Sequence, residues 1–249
     1  MTEIKTEAVI LKSIPFKETS KIVRIYTKDK GKIAVIARGA SRPKSDFKGK
    51  LDPLNHIEAI IYYKESREVQ TLGELDLIKS YLSSCRNVEG VYYATAVLET
   101  LDKFISGTED NQEIFKLTTG VLTAIDQEPL AAQAQLVYYL LNLSVILGYR
   151  INLEQCSICQ KSLQSGYYNT GVDHLLCEEC SHKSDVPVTS EEMNFFRKVI
   201  DTPVEKVNWP KYSSVNFSGA GRFLLKYLAW HMEVSPILKS LKTLKELKN

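Results

Sequence analysis

Over the first 80 residues, apolar and polar positions alternate with the two-residue period of β-strands. Five short runs show this alternation or a compact β-branched core, at residues 8–11, 20–27, 32–38, 57–63 and 69–77. In the second run Val23 and Ile25 share one face, while Arg24 and Tyr26 fall on the other. Gly73 in the fifth run predicts a β-bulge. Five short strands with a long third connection predict an N-terminal OB-fold barrel; a small open sandwich or an SH3-like barrel fits the same pattern.

From about residue 87 the apolar positions change to the 3.6-residue period of α-helices. Asn87 is placed to cap the first helix, and Pro129 stands in the first turn of the third, which is apolar over most of its circumference. Thr189–Glu192 has the sequence of a capping box. The pattern therefore predicts a multidomain α+β protein, with an OB-fold at 1–80 and an all-α helical domain at 81–249.

The connection between the third and fourth strands is strongly basic. Residues 38–50 contain five cations and a single acid, and their glycines and proline exclude regular helix, so the cations stand on a loop. With two strand residues they are the predicted phosphate contacts: Lys21, Arg24, Arg38, Arg42, Lys44, Lys48 and Lys50. Tyr26 and Phe47 lie near these cations. One interpretation is that each ring stacks on a base. The other is that both serve the fold: Tyr26 packs in the barrel and Phe47 anchors the loop.

The net charge of +2 conceals an uneven distribution. Residues 1–50 carry ten lysines and three arginines against five acids, whereas residues 81–155 carry four bases against nine acids. The last fifteen residues are basic again, with four lysines against one acid. Basic ends around an acidic middle indicate a polyanionic partner. The C-terminal lysines alternate with leucines in three-residue steps, which favours an amphipathic docking helix, starting at Ser235–Pro236, over contact with DNA.

The chain shows no sign of membrane insertion or export. No run of about 18 apolar residues is present, which is the length that a transmembrane helix needs. The N-terminus carries acidic residues and lacks a small-residue cleavage site, so it is not a secretory signal peptide. We expect a cytoplasmic protein with no membrane partner.

Four of the five cysteines form two Cys-x-x-Cys pairs that are separated by seventeen residues. Each pair can bend into a knuckle that points two thiolates at one centre, and two knuckles complete the tetrahedral sulfur shell that suits Zn²⁺. The predicted ligands of one ion per chain are Cys156, Cys159, Cys177 and Cys180, in a zinc-binding insertion at 150–186. Four sulfurs leave no open position for water or substrate, so the predicted role is structural.

Two alternatives to this zinc site remain from the sequence. The cysteines could stay unmetallated or form two disulfides, although a chain without an export signal favours metal binding. His174 and His182 are close enough in sequence to replace one cysteine as a ligand.

No catalytic motif is present. The chain has no nucleotide-binding loop, no zinc-protease helix and no serine-hydrolase elbow. Gly219–Arg222 is rich in glycine but lacks the lysine and hydroxyl residue of a phosphate loop, and the four histidines lie apart from any nucleophile. We expect a binding protein that is not an enzyme.

Several sequence segments together resemble the RecO family of bacterial DNA-repair recombination mediators. They are the run from Phe16 to Thr27, Lys30-Gly31-Lys32, Ala37-Arg38-Gly39-Ala40, Lys44-Ser45, the Leu147-Gly148-Tyr149 approach to the cysteines, and a late helix with Arg222, Leu225, Tyr227, Leu228 and His231. The likeness covers essentially the whole chain. Not every member of that family keeps all four cysteines, so the zinc prediction depends on the spacing in this sequence.

The resemblance implies functions that composition and spacing do not show. It implies binding of single- and double-stranded DNA, annealing of complementary strands, and cooperation with RecR in loading RecA onto strands coated by single-strand-binding protein. It also implies contact with the C-terminal tail of that protein and association with the bacterial nucleoid. The alternative is a zinc-stabilised protein-interaction adaptor whose basic surfaces bind an acidic peptide instead of DNA.

Overall fold

The computed structural model describes residues 2–84, 87–107, 112–169 and 174–247. Its N-terminal part consists of five strands, β1 (Thr2–Phe16), β2 (Ser20–Thr27), β3 (Gly31–Ala37), β4 (Asn55–Tyr63) and β5 (Val69–Ser80). They close into a barrel in the order β1-β2-β3-β5-β4. Neighbouring strands are antiparallel except for β3 and β5, which are parallel.

The first strand is much longer than the predicted run at 8–11. Its residues 2–9 pair with β4 and its residues 8–16 pair with β2, and the β1–β2 register shifts between Ile10 and Lys12. The β4–β5 register also shifts, between the pairs formed by Ala59 and Ile61 of β4. Gly73 of β5 lies within this shift, so the predicted bulge is confirmed. A Cβ on Gly73 would lie 2.8 Å from the Tyr62 ring, which explains why glycine is needed there.

The second part of the chain is mainly helical. Its helices are α1 (Tyr81–Ser84), α2 (Val88–Phe104), α3 (Gln112–Gln127), α4 (Ala132–Ile146), α5 (Ser190–Val199), α6 (Ser218–His231) and α7 (Lys239–Leu247). The Asn87 side chain accepts a hydrogen bond from the Gly90 N–H at 3.2 Å, which confirms the predicted cap of α2. Pro129 opens a separate 3-10 turn, Pro129–Ala131, that leads into α4.

The central helix α4 is buried on nearly every side. Pro129–Ile146 is the one described segment that is long and apolar enough to cross a membrane, but 67% of it is buried inside the protein. It packs against α2, α3 and α6 and forms the middle of the helical core.

The last two helices depend on contacts from distant elements. The predicted capping box is present at Thr189 and Glu192, and the buried Glu192 carboxylate also accepts the Ala220 N–H at the start of α6, at 2.7 Å. The prediction that the last helix begins at Ser235–Pro236 is wrong, because α7 begins at Lys239. Its first turn is held by Glu99 of α2, whose carboxylate accepts the N–H and hydroxyl of Ser240 at 3.1 and 3.0 Å.

The segment between α4 and α5 contains a small antiparallel sheet. Its strands are β6 (Gly166–Asn169), β7 (His174–Leu176) and β8 (Val186–Val188), in the order β7-β6-β8. Tyr168 is fully buried and packs on Phe223 of α6, with ring centroids 4.8 Å apart. Leu163, Leu175 and Val188 also join the helical core. The cysteine segment is therefore a part of that core.

The barrel packs directly on the helical part. Val9, Leu11, Tyr26 and Leu54 point away from the barrel interior and belong to the same apolar cluster as the helices. The barrel interior forms its own cluster, which includes Val23, Ile25 and the other inward-facing strand residues. The predicted strand faces of β2 are thus confirmed, and the outward face is partly covered by helices.

Candidate nucleic-acid interface and metal centre

The basic connection between β3 and β4 is a chain of tight turns. Each turn is closed by a backbone hydrogen bond of 3.1 Å, in which an N–H donates to the carbonyl three residues earlier. The donor and acceptor pairs are Arg42 and Gly39, Ser45 and Arg42, Lys48 and Ser45, and Lys50 and Phe47. Ala40 and Leu51 are buried in the barrel core, and Phe47 packs against the same core. The Asn55 amide donates to the carbonyls of Gly49 and Lys50, both at 3.0 Å. These contacts hold the loop on the barrel in a defined shape.

Four of the predicted phosphate contacts project from this loop into solvent. Arg38, Arg42, Lys44 and Lys48 are exposed. None of them forms an ion pair with a carboxylate of the described residues. Lys21 is half-buried and pairs with Ala37, the residue before Arg38, so it lies at the base of the same loop. The tertiary structure thus brings five of the seven predicted cations together.

The other two predicted contacts are already engaged. Arg24 Nη1 donates to both carboxylate oxygens of Asp102, in the last turn of α2, at 2.8 and 2.6 Å. Lys32 joins the same group, and its Nζ donates to the Asp102 carbonyl at 2.6 Å. Lys50 is half-buried, and its Nζ donates to the Leu75 carbonyl of β5 at 3.2 Å. Arg24 and Lys50 are therefore held by other parts of the fold and do not belong to the group of exposed loop cations.

A further cation lies beside the loop. The Ser41 N–H donates to the Thr19 carbonyl at 2.9 Å, which brings the turn between β1 and β2 against the basic loop. Lys17 of that turn is exposed, with its Nζ 5.5 Å from the Phe16 ring centroid. Nothing in the local sequence indicated this neighbour, because the contact joins two separate connections of the barrel.

The two candidate stacking residues serve the fold. Tyr26 is fully buried, so the first interpretation of it, stacking on a base, is wrong. It does not pack in the barrel either, because its side chain lies among the helical residues. Phe47 is half-buried against the barrel core and anchors the loop, as the second interpretation of it stated.

The four cysteines form one cluster. Cys156, Cys159, Cys177 and Cys180 place their sulfur atoms within 4.8 Å of one another. The sulfurs of Cys159 and Cys177 are 3.6 Å apart, close to the roughly 3.8 Å expected between two thiolates bound to one tetrahedral Zn²⁺. All four are free cysteines in this structure, with no disulfide among them. The donor set and its spacing fit a divalent metal ion with a closed sulfur shell.

The backbone around the cluster shapes the first knuckle and stabilises the thiolate of Cys156. Gln160 adopts a left-handed φ of 62°, and its N–H donates to the Cys156 carbonyl at 2.9 Å, which closes the first knuckle. Burial raises the pKa of the Cys156 thiol, but N–H groups of the Cys159 and Cys177 backbone point at its sulfur, and the net pKa is lowered to about 6. Such a thiolate is ready to bind a metal ion.

Arg197 of α5 clamps the start of this segment. Its Nη2 donates to the carbonyls of Leu153 and Leu163, at 2.6 and 2.5 Å, on the two sides of the first knuckle. Glu154 lies at 3.4 Å from its Nε. A single side chain of α5 therefore anchors both sides of the first knuckle to the helical part.

Comparison with known proteins covers both parts of the chain. The family model described as Recombination protein O N terminal matches residues 1–81, and the one described as Recombination protein O C terminal matches residues 85–242. The boundary between the two matches falls close to α1, where the barrel ends and the helices begin.

Two curated relatives match over nearly their whole length, and a third matches over a little more than half. A DNA repair protein RecO from Caldanaerobacter subterraneus subsp. tengcongensis is 24% identical over 236 residues, which are 94% of this chain and 95% of the relative. One from Koribacter versatilis is 25% identical over 233 residues, or 92% and 93% of the two chains. One from Salinibacter ruber is 32% identical over 145 residues, or 58% and 56%.

Proposed function

Because this chain belongs to the RecO family, we propose that it is a non-enzymatic mediator of DNA repair and recombination. In this proposal it binds single- and double-stranded DNA, anneals complementary strands and, together with RecR, helps to load RecA onto strands coated by single-strand-binding protein. It acts in the cytoplasm, on the nucleoid. The observation that carries the DNA-binding step is the rigid basic loop, whose exposed cations at 38–48 have no carboxylate partner among the described residues.

The strand arrangement supports an OB-fold as the nucleic-acid-binding domain at 1–80. A closed five-stranded barrel with a parallel β3–β5 contact and a long β3–β4 connection is the arrangement that this fold requires. The remaining residues, 81–249, form the proposed helical domain, with the cysteine segment at 150–186 as an insertion within it. We assign one structural Zn²⁺ to the four cysteines, because a closed sulfur shell leaves no open position for a catalytic water.

Annealing needs no chemical step in this scheme. Lysine and arginine side chains displace the counterions condensed on a nucleic-acid backbone, so that binding is strong at low salt and weakens as salt rises. A surface that neutralises one strand also lowers its repulsion of the complementary strand. The loop is suited to this because its backbone is held by the turns and by Asn55, so little conformational freedom is lost when phosphates bind.

The test is reversal of the loop charge. We expect R38E/R42E/K44E to lose oligonucleotide binding at moderate salt, because three cations of the protein no longer contact phosphates. The loss of these three contacts to a single strand should lower the slope of log K against log salt by about 2. The measurement is fluorescence anisotropy of a labelled oligonucleotide over a salt series, followed by a strand-annealing assay. The matched control reverses three exposed cations of the helical part, Lys198, Lys206 and Lys211. Equal affinity of the two triple variants would reject the loop as the site.

A groove between α4, α6 and α7 supports the proposed contact with the acidic tail of single-strand-binding protein. It has a volume of about 480 Å³ and apolar walls that include Leu136, Val137 and Leu225. Arg222 and Lys245 stand at its rim and are exposed. Apolar walls with cations at the rim suit an acidic peptide that carries apolar side chains.

The same groove is the observation that favours the adaptor alternative. If R222E/K245E loses an acidic tail peptide but keeps oligonucleotide binding, the two ligands use separate sites and the mediator function stands. If the wild-type chain binds the peptide in calorimetry and binds no oligonucleotide at any salt concentration, the adaptor function replaces it.

A further inference from the structure

The C-terminal half of α6 presents an unusual face to solvent. Lys226, Ala229 and Trp230 follow one another at helical spacing on α6. Together with Glu233, Val234 and Pro236, which come after the helix, they line a cavity of about 600 Å³. Trp230 is 56% exposed. The other tryptophan of the chain, Trp209, is only 5% exposed, and its ring N–H donates to the Val204 carbonyl. An exposed indole that lines an open cavity offers its ring face and its N–H to a ligand.

Cations accompany this indole. Ile237, which follows the cavity wall, is 63% exposed, and it leads to Lys239 at the first position of α7. Within the described part of the chain, neither Lys226 nor Lys239 forms an ion pair. Lys226 and Glu233 both line the cavity, and Lys239 at the start of α7, two residues after Ile237, adds a second cation. We refer to Lys226, Trp230, Ile237 and Lys239 together as the α6–α7 surface.

The α6–α7 surface is coupled to the barrel through one turn of α2. Lys103 Nζ donates to the Ile237 carbonyl at 2.7 Å, and the neighbouring Asp102 holds Arg24 of β2. Consecutive residues of a helix project about 100° apart, so α7 and the barrel flank the same turn on different sides. The segment that leads into α7 and strand β2 of the barrel therefore contact neighbouring residues of one helical turn.

We propose that the α6–α7 surface is a second binding surface for single-stranded nucleic acid, distinct from the basic loop. Trp230 stacks on an unpaired base, while Lys226 and Lys239 contact phosphates on either side of it. Single strands are the occupant because only their bases can reach an indole face, and because the adjacent free cations match a polyanion. This inference rests on the proposed DNA-binding function and deepens it: a chain with two surfaces can hold two strands at once, as annealing requires.

The experiment uses Trp230 as its own reporter. The chain has two tryptophans, so the difference between the wild-type protein and W230F isolates the Trp230 emission. The variant W230F is suitable because the side chain is exposed and its replacement leaves the core intact. We expect a deoxythymidine oligonucleotide to quench the wild-type emission and to leave W230F unchanged. A parallel anisotropy titration with labelled oligonucleotide reports binding anywhere on the protein.

A second pair of variants tests the contribution to affinity. In the R38E/R42E/K44E background, which removes the basic loop, W230A is expected to weaken the remaining single-strand binding about tenfold, a stacking contribution within the usual range. Replacing Lys226 and Lys239 by alanine should lower the salt slope by about 1.4. The matched control replaces Lys206 and Lys211, exposed cations outside this surface, and should leave the slope unchanged.

The outcomes separate this inference from the proposed function. If anisotropy shows saturated binding while the Trp230 emission stays constant, the α6–α7 surface is wrong and DNA binding by the loop stands. If the loop variant binds as well as the wild type but Trp230 is still quenched, the loop fails and the α6–α7 surface stands. If a synthetic peptide of alternating Asp and Phe quenches Trp230 and the oligonucleotide does not, the surface binds protein and the inference is overturned.

Discussion

Asp102 controls whether Arg24 is available to nucleic acid. The carboxylate accepts Arg24 Nη1 at 2.8 and 2.6 Å and lies 3.9 Å from Lys32 Nζ. The Arg24 side chain is 46% exposed and that of Asp102 is 25% exposed, so the pair is partly screened by water. An ion pair of this kind contributes about 0.5–1 kcal/mol. Asp102→Asn should thus cost little stability, a fall in Tm of about 1–4 °C for a chain of this size.

The larger expected effect is on DNA binding. Arg24 pairs with Ala34, four residues before Arg38 on β3, so it lies roughly 13 Å from the start of the basic loop. Freed from Asp102, it adds one cation to the proposed loop site. The salt slope for a single strand should become steeper by about 0.7, since each added phosphate contact releases a fraction of one counterion.

A double-mutant cycle assigns this gain to Arg24. Oligonucleotide anisotropy from low to moderate salt is measured for the wild type, Asp102→Asn, Arg24→Ala and the double variant. The structure predicts that Arg24→Ala alone changes the salt slope little, because Asp102 already holds the Arg24 side chain in the wild type. In the double variant, Arg24→Ala should remove the gain in slope made by Asp102→Asn. If Arg24→Ala alone lowers the slope as much as a loop substitution does, Arg24 binds DNA in the native protein and the reasoning is refuted.

Three further predictions concern stability. Metal analysis should find about one zinc ion per chain. Cys180→Ser or complete chelation should lower the Tm, since the cysteine segment is part of the helical core. An unchanged Tm in metal-free protein would contradict this. Arg197→Ala should cost about 1–3 kcal/mol in urea unfolding, because it leaves two carbonyls unpaired, and Lys198→Ala on the same helix is the control. Burial lowers the pKa of His56 despite the Glu7 carboxylate at 3.1 Å. The folded protein then binds fewer protons than the unfolded chain, so stability should fall as the pH drops below about 6.5, and His56→Gln should flatten that dependence between pH 7.5 and 5.5.

Local patterns predicted much of this architecture. The alternation in β2 assigned Val23 and Ile25 to the barrel interior, because successive side chains of a strand point to opposite faces whatever its neighbours are. Asn87 was identified as a helix cap because its amide reaches a backbone N–H three residues ahead, which is a purely local contact. The cysteine spacing predicted the cluster for the same reason, since each knuckle is a short turn that closes on itself.

Predictions failed where a residue's surroundings come from a distant segment. Alternation places Tyr26 on the outer face of the barrel, but it cannot show that helices cover that face. The start of α7 depends on Glu99, which lies some 140 residues earlier in the chain.

The sequence by itself therefore determined the elements, the cysteine site and a loop rich in cations, since these follow from residue types and spacings within a few turns of the chain. Only the tertiary structure decided which cations remain free, because Asp102 and the Leu75 carbonyl reach Arg24 and Lys50 across the fold. It also decided that Trp230 is exposed while Trp209 is buried. Exposure and pairing depend on which surfaces meet when the barrel packs on the helices, and no single stretch of sequence contains that information.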